Sequence, residues 1–146
     1  MEIDQIIQKF ESRDKHQILD AVWLLLDCTD RDFMFELLPH LPQFHKKVKA
    51  VDLGGVFYQN SKHFDLAMAY VKHVCDGGCH CFIYKSTSLF NPIPQEKKGH
   101  LTILSTSDNI ELYQVNFEVE CSYCNKRFGV TEVHGGHVPW YQWCAA

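Results

Sequence analysis

Two short cysteine pairs, Cys79-His80-Cys81 and Cys121-Ser122-Tyr123-Cys124, are the residues of this chain best suited to chemistry. Each pair brings two thiols within one tight turn or along one strand edge. The sequence between the pairs reads as antiparallel strands, which can carry them together in space. Four thiolates converging from two turns are the usual inventory of a structural Zn²⁺ site, tetrahedral, closed and stabilising a small sheet. The second pair, followed by Asn125-Lys126-Arg127-Phe128, has the look of a zinc knuckle, whereas the CxC spacing of the first is less regular. The expected ligands are therefore Cys79, Cys81, Cys121 and Cys124, around a structural zinc ion.

Three other readings compete for these cysteines. His134 and His137 follow Cys124 in a compressed two-Cys, two-His pattern, although Gly135-Gly136 between them opposes the helix that a zinc finger needs. Disulfides are disfavoured by an odd count of seven cysteines and by the absence of a secretory signal after Met1-Glu2-Ile3-Asp4. The thiols can also be small buried hydrophobes with no ligand.

An enzyme would need a nucleophile or a paired acid and base, and no GxSxG, HExxH or phosphate-binding glycine loop occurs. The HxE…PCxxC pattern of zinc deaminases is missing too, because no proline precedes Cys121. His16, His40, His45, His63 and His73 read as imidazoles scattered over helix surfaces and loops. A four-thiolate metal would lack an open position for water, so no catalytic role is expected.

The elements that must position these residues fall into two halves, 1–76 and 77–146. Hydrophobic periodicity predicts a short helix over Glu2–Phe10 and a second from Asp14 to Cys28, burying Ile18, Ala21, Val22 and Leu25, with Trp23 broadening the stripe. Thr29 or Asp30 caps a third helix that Pro39 and Pro42 close. A fourth helix from about Gln43 carries Phe44, Val48, Val51 and Gly55 on one face, with Gly54-Gly55 a possible break. Ser61 opens a fifth, which ends before Asp76-Gly77-Gly78. Helices two and three, then four and five, pair naturally as antiparallel hairpins.

Beyond the glycine turn the period changes to that of strands. Cys81–Tyr84 reads as a strand, 91–99 as a polar loop with two prolines, and His100–Ser105 as a strand before a hairpin turn at Ser107-Asp108-Asn109. From Asn109 onward Tyr113, Val115, Phe117, Val119 and Cys121 share one face of a strand and alternate with polar residues, delivering Cys121 to the proposed metal. Strands over Lys126–Val133 and His137–Trp143 complete the pattern, and alternation sends Trp140 and Tyr141 to opposite faces. The fold class expected is α+β, N-terminal helical hairpins followed by a small antiparallel sheet.

Hydrophobic content of 46% is ample for a packed interior, and no apolar run is long enough to span a membrane. The expected compartment is the cytoplasm. The formal charge of −4 is unevenly spread: up to Glu36 nine acids face four bases, a local balance of −5. Such a face either repels nucleic acid and attracts basic proteins or is an ordinary solvated helical surface; the candidate partner-binding residues are Asp27, Asp30, Asp32 and Glu36 on it and, separately, Trp140 in the aromatic tail.

Two resemblances extend this reading. Val48-Lys49-Ala50-Val51-Asp52-Leu53-Gly54 resembles the second half of a HEAT-type repeat, a likeness covering about residues 14–74. Helical hairpins followed by CxC…CxxC-x-K-x-F and a Trp-rich tail resemble immunity proteins of bacterial polymorphic or contact-dependent toxin systems. That resemblance implies a protein-binding module that plugs or masks a cognate toxin, frequently a basic nuclease. The alternative is a zinc-ribbon nucleic-acid-binding or transcription-associated module, and a metal-dependent enzyme is the third class.

Overall fold

A computed structural model describes residues 2–56, 59–136 and 138–146. The class is α+β, with the helices N-terminal and one antiparallel sheet C-terminal. The chain divides into two compact units, Met1–Gly78 and Cys79–Ala146, each with its own core.

The first unit holds α1 (Ile3–Glu11), α2 (Lys15–Asp27), α3 (Arg31–Leu37), α4 (Leu41–Val48) and α5 (Asn60–Cys75), with a 3₁₀ turn at Leu38–His40. Capping side chains fix the starts of two helices. The Asp14 carboxylate accepts from the His16 amide, and that of Asp30 from the amides of Asp32 and Phe33. Pro42 sits in the first turn of α4, where a missing N–H costs nothing, so it helps start that helix instead of closing the one before it. The helix then ends at Val48 and leaves Val51 and Gly55 outside. The Asp52 carboxylate accepts from the Gly54 amide, and Gly54 and Gly55 turn to φ of 76° and 113°, a conformation closed to a continuing helix. At the end of α5 the amides of Gly77 and Gly78 return to the carbonyls of Val74 and His73, with Gly77 at positive φ.

Phe10, Phe44 and Phe64 form the aromatic centre of this unit, with Phe10 4.6 Å from Phe44 and 5.8 Å from Phe64 between ring centroids. The main packings are α1 on α2 and α4, and α5 on α2 and α3. The sequentially adjacent hairpins, α2 with α3 and α4 with α5, are therefore not the leading contacts. A central α5 shared by α2 and α3 buries its apolar residues on two sides, including Leu66, Ala67, Met68, Tyr70 and Val71. Trp23 is exposed, its ring lying 5.2 Å from that of His63, and His63 is buried rather than superficial.

In the second unit Cys81–Tyr84 is not a strand. His80–Ser86 form a 3₁₀ helix that buries His80, Cys81, Ile83 and Tyr84. The proline-containing loop is likewise a helix, α6 (Pro92–Lys97), because Asn91 caps the Ile93 amide and Pro92 occupies the first turn. The sheet follows as a meander in the order β1 (Leu101–Asn109), β2 (Gln114–Cys121), β3 (Arg127–Val133) and β4 (Trp140–Ala145). Strand β1 runs through Ser107-Asp108-Asn109, so the turn falls at 110–113 instead and takes Tyr113, at φ 51°, out of the alternation of β2.

One face of the sheet carries Phe117, Val119, Cys121, Phe128, Val130, Tyr141 and Trp143 into the core. Trp143 stacks on Tyr84 at 4.4 Å and 8°, and its indole N–H donates to the Phe90 carbonyl at 2.9 Å. This packing clamps the 3₁₀ helix, and with it Cys79 and Cys81, against the sheet. No described helix is long and apolar enough to cross a membrane.

Candidate metal centre

Cys79 occupies the extended position just before the 3₁₀ helix, and Cys81 lies in its first turn, where the Phe82 amide donates to the Cys79 carbonyl. Cys121 is the last residue of β2, and Cys124 lies in the turn that leads into β3. That turn closes through Cys121 N–H to the Lys126 carbonyl at 2.9 Å and Asn125 N–H to the Cys121 carbonyl at 3.0 Å. Asn125 takes the left-handed conformation the turn requires, φ 62°, which asparagine tolerates better than most residues. Ser122 N–H anchors the knuckle to the His100 carbonyl at 3.0 Å.

The result is that all four Sγ atoms lie within 4.8 Å of one another. Contacts cross between the pairs, Cys79 to Cys121 and Cys81 to Cys124, each at 3.6 Å. A tetrahedron with metal–sulfur bonds of about 2.3 Å has sulfur–sulfur edges of about 3.8 Å, so the group has room for one ion. At 3.6 Å the sulfurs are too far apart for a disulfide, and all four are free thiols. Cys81 and Cys121 are buried, Cys79 is half-buried and Cys124 is exposed.

The electrostatics favour a cation. Burial pushes the Cys79 thiol up to about 11, against the pull of the Cys81 amide that donates to it. Burial and then the charge of Cys121 raise Cys81 as well. At Cys124 burial also acts upward, but hydrogen bonds from the Lys126 amide and from the thiols of Cys81, Cys79 and Cys121 outweigh it and hold that thiol below its ordinary value. Without a cation the cluster supports few thiolates, because like charges this close repel in a partly buried site. A divalent ion reverses that balance. Backbone amides are already aimed at the sulfurs, with Tyr123 N–H on Cys121 Sγ at 3.5 Å, and such donors stabilise ligated thiolate. The donor set therefore fits a metal ion.

Side chains that sequence patterns did not single out back this centre. The rings of His80 and His100 lie 4.1 Å apart, both buried, and His100 Nδ1 is 2.8 Å from the Tyr123 hydroxyl. Tyr84 donates to Gln95 Oε1 at 3.0 Å alongside. His80 and Tyr123 each stand inside a cysteine pair, which was the signal available.

His134 is not part of the group. It follows the end of β3 remote from the knuckle and lies 3.5 Å from the Glu132 carboxylate. His137 lies outside the described residues. Of the acidic candidates, Asp30, Asp32 and Glu36 line one open hollow of about 370 Å³ with Glu2, Ile3, Asp4 and Phe33. Asp27 is half-buried at the end of α2 and is not among those lining residues. Trp140 is exposed on β4 of the other unit, whereas Tyr141 and Trp143 are buried. Comparison with protein-family models, with curated proteins and with solved structures finds no match for this chain.

Proposed function

We propose that this chain is a protein-binding module stabilised by a structural zinc ion, and that it serves as an immunity protein that binds and neutralises a cognate toxin. The observation that carries the reading is the closed set of four thiols at Cys79, Cys81, Cys121 and Cys124. Four sulfur ligands suit Zn²⁺ by softness and geometry, and they saturate a tetrahedral ion. The metal would then hold the 3₁₀ helix to the β2–β3 knuckle and leave function to the surface. An acidic hollow at Asp30, Asp32 and Glu36 supports a basic protein as the partner, since opposite charge steers association. The cysteine framework and Trp-rich tail that resemble toxin-immunity proteins point the same way.

The test is stoichiometric protection. Cells producing the toxin encoded beside this chain are expected to survive only when this chain is present in at least equal amount. A neutralising inhibitor at low copy number requires nanomolar affinity, about −12 kcal/mol. Protection at sub-stoichiometric amounts would instead mark an enzyme acting on the toxin or its damage. No protection, together with single-stranded nucleic acid binding, would favour the zinc-ribbon nucleic-acid module.

A further inference from the structure

The end of the sheet away from the cysteines carries a second surface. Asn109 pairs with Gln114, Gln114 with Val133 and Val133 with Trp140, so the β1–β2 turn and the start of β4 share that end. The His134 amide ties them further by donating to the Tyr113 carbonyl at 3.2 Å. Ile110 is 84% exposed, Tyr113 72%, Leu112 59%, Val138 54% and Trp140 42%. Five large apolar side chains exposed at one end of the sheet are a cost in water that folding of the sheet does not require.

The backbone repeats the point. Tyr113 sits at φ 51°, a conformation that glycine or asparagine adopts with less strain. Its amide donates to the Ile110 carbonyl at 3.2 Å, so either residue would close the same turn. The aromatic ring is therefore explained by what it presents. The permanent charges carried by the residues of this end have one sign: Asp108 and Glu111 are exposed in and beside the turn, and no Lys or Arg occurs between Gly99 and Asn125 or beyond Arg127. Glu132, the other acid at this end, is engaged by the Tyr141 hydroxyl and lies near His134.

We propose that this hairpin tip is a docking surface for a protein that presents an apolar pocket rimmed by Lys and Arg. Tyr113, Ile110 and Leu112 would fill the pocket, and Asp108 and Glu111 would meet the rim. An anionic bilayer, the other surface that accepts exposed aromatics, is opposed by those carboxylates. The inference rests on the reading of the chain as a protein-binding module and assigns it a surface apart from the hollow on α1 and α3.

Selection of a random-peptide phage library on the zinc-loaded full chain tests it. Enriched peptides are expected to carry apolar or aromatic residues flanked by Lys or Arg, with binding that weakens as salt rises. The double substitution Ile110→Ser with Leu112→Ser should weaken them by about tenfold or more. Tyr113→Gly should weaken them too without lowering the melting temperature, which separates lost docking from lost folding. Asp108→Lys with Glu111→Lys should act likewise, while Asp32→Lys with Glu36→Lys should leave these peptides bound. No consensus, a consensus without basic residues, or binding indifferent to the tip substitutions would overturn the proposal. So would tip-dependent binding to vesicles of phosphatidylcholine and phosphatidylglycerol in place of peptides, which would assign the tip to membranes. Peptides lost only with Asp32→Lys and Glu36→Lys would sink the tip and leave protein binding standing. Failed toxin protection with a basic, tip-dependent consensus would keep this surface and remove the toxin.

Discussion

Removing one ligand of the metal centre should destabilise the second unit far more than its contacts alone suggest. The sulfur pairs join residues 42 and 43 positions apart, Cys79 with Cys121 and Cys81 with Cys124. Treated as a crosslink, a metal bridging such a loop removes about 4 kcal/mol of denatured-state entropy. Cys121→Ser adds a further cost, because its side chain is 1% exposed and a buried hydroxyl without a partner costs about 1–3 kcal/mol. The total, about 5–7 kcal/mol, is comparable to the whole stability of a small domain. Cys144→Ser is the control: that thiol is exposed on β4, and surface changes of this kind stay within about 0.5 kcal/mol. Elemental analysis of untagged protein should give about one zinc per chain, falling well below that in Cys121→Ser and unchanged in Cys144→Ser. Guanidinium unfolding followed through the Trp143–Tyr84 stack should show the early transition in Cys121→Ser and in chelator-treated protein alike. Metal-free protein that unfolds at the same denaturant concentration as the loaded form would refute the argument.

Two further outcomes follow from single interactions. Burial, then the hydrogen bond to Glu132 and its charge, push the Tyr141 phenol up to about 12, so phenolate absorbance should contain a late step that belongs to Tyr141. Because the folded value is the higher one, this stabilisation is complete below about pH 10, the ordinary tyrosine value, and is lost as pH rises from there through about 12; Tyr141→Phe should abolish that late step. Asp30→Ala should cost about 1 kcal/mol in thermal unfolding by uncapping α3, so association should be read from Asp32→Lys and Glu36→Lys, which spare the cap and are expected to slow binding of a basic partner at low salt. A melting temperature unmoved by Asp30→Ala, or association rates unmoved by the two reversals, would contradict these expectations.

Local chemistry determined much of this protein from sequence alone. Asp14 and Asp30 start helices because a carboxylate satisfies free amides wherever it stands, and Gly77 ends α5 because only a positive φ closes that turn. The alternation of β2 placed Phe117, Val119 and Cys121 on one face, and the cysteine spacing named the four thiols that come within 4.8 Å. Tertiary structure decided the rest. Cys81–Tyr84 is an apolar run that fits a strand or a helical turn equally, and the stacking of Tyr84 on Trp143 selects the turn. Periodicity could not see that α5 is shared by α2 and α3, nor that Trp23 would stay exposed while His63 beneath it is buried. The same holds for His80 and His100, which meet each other and Tyr123 of the knuckle only once the 3₁₀ helix and the sheet are assembled. Burial is a property of what a distant segment brings, and a side chain's own spacing records only which face it occupies.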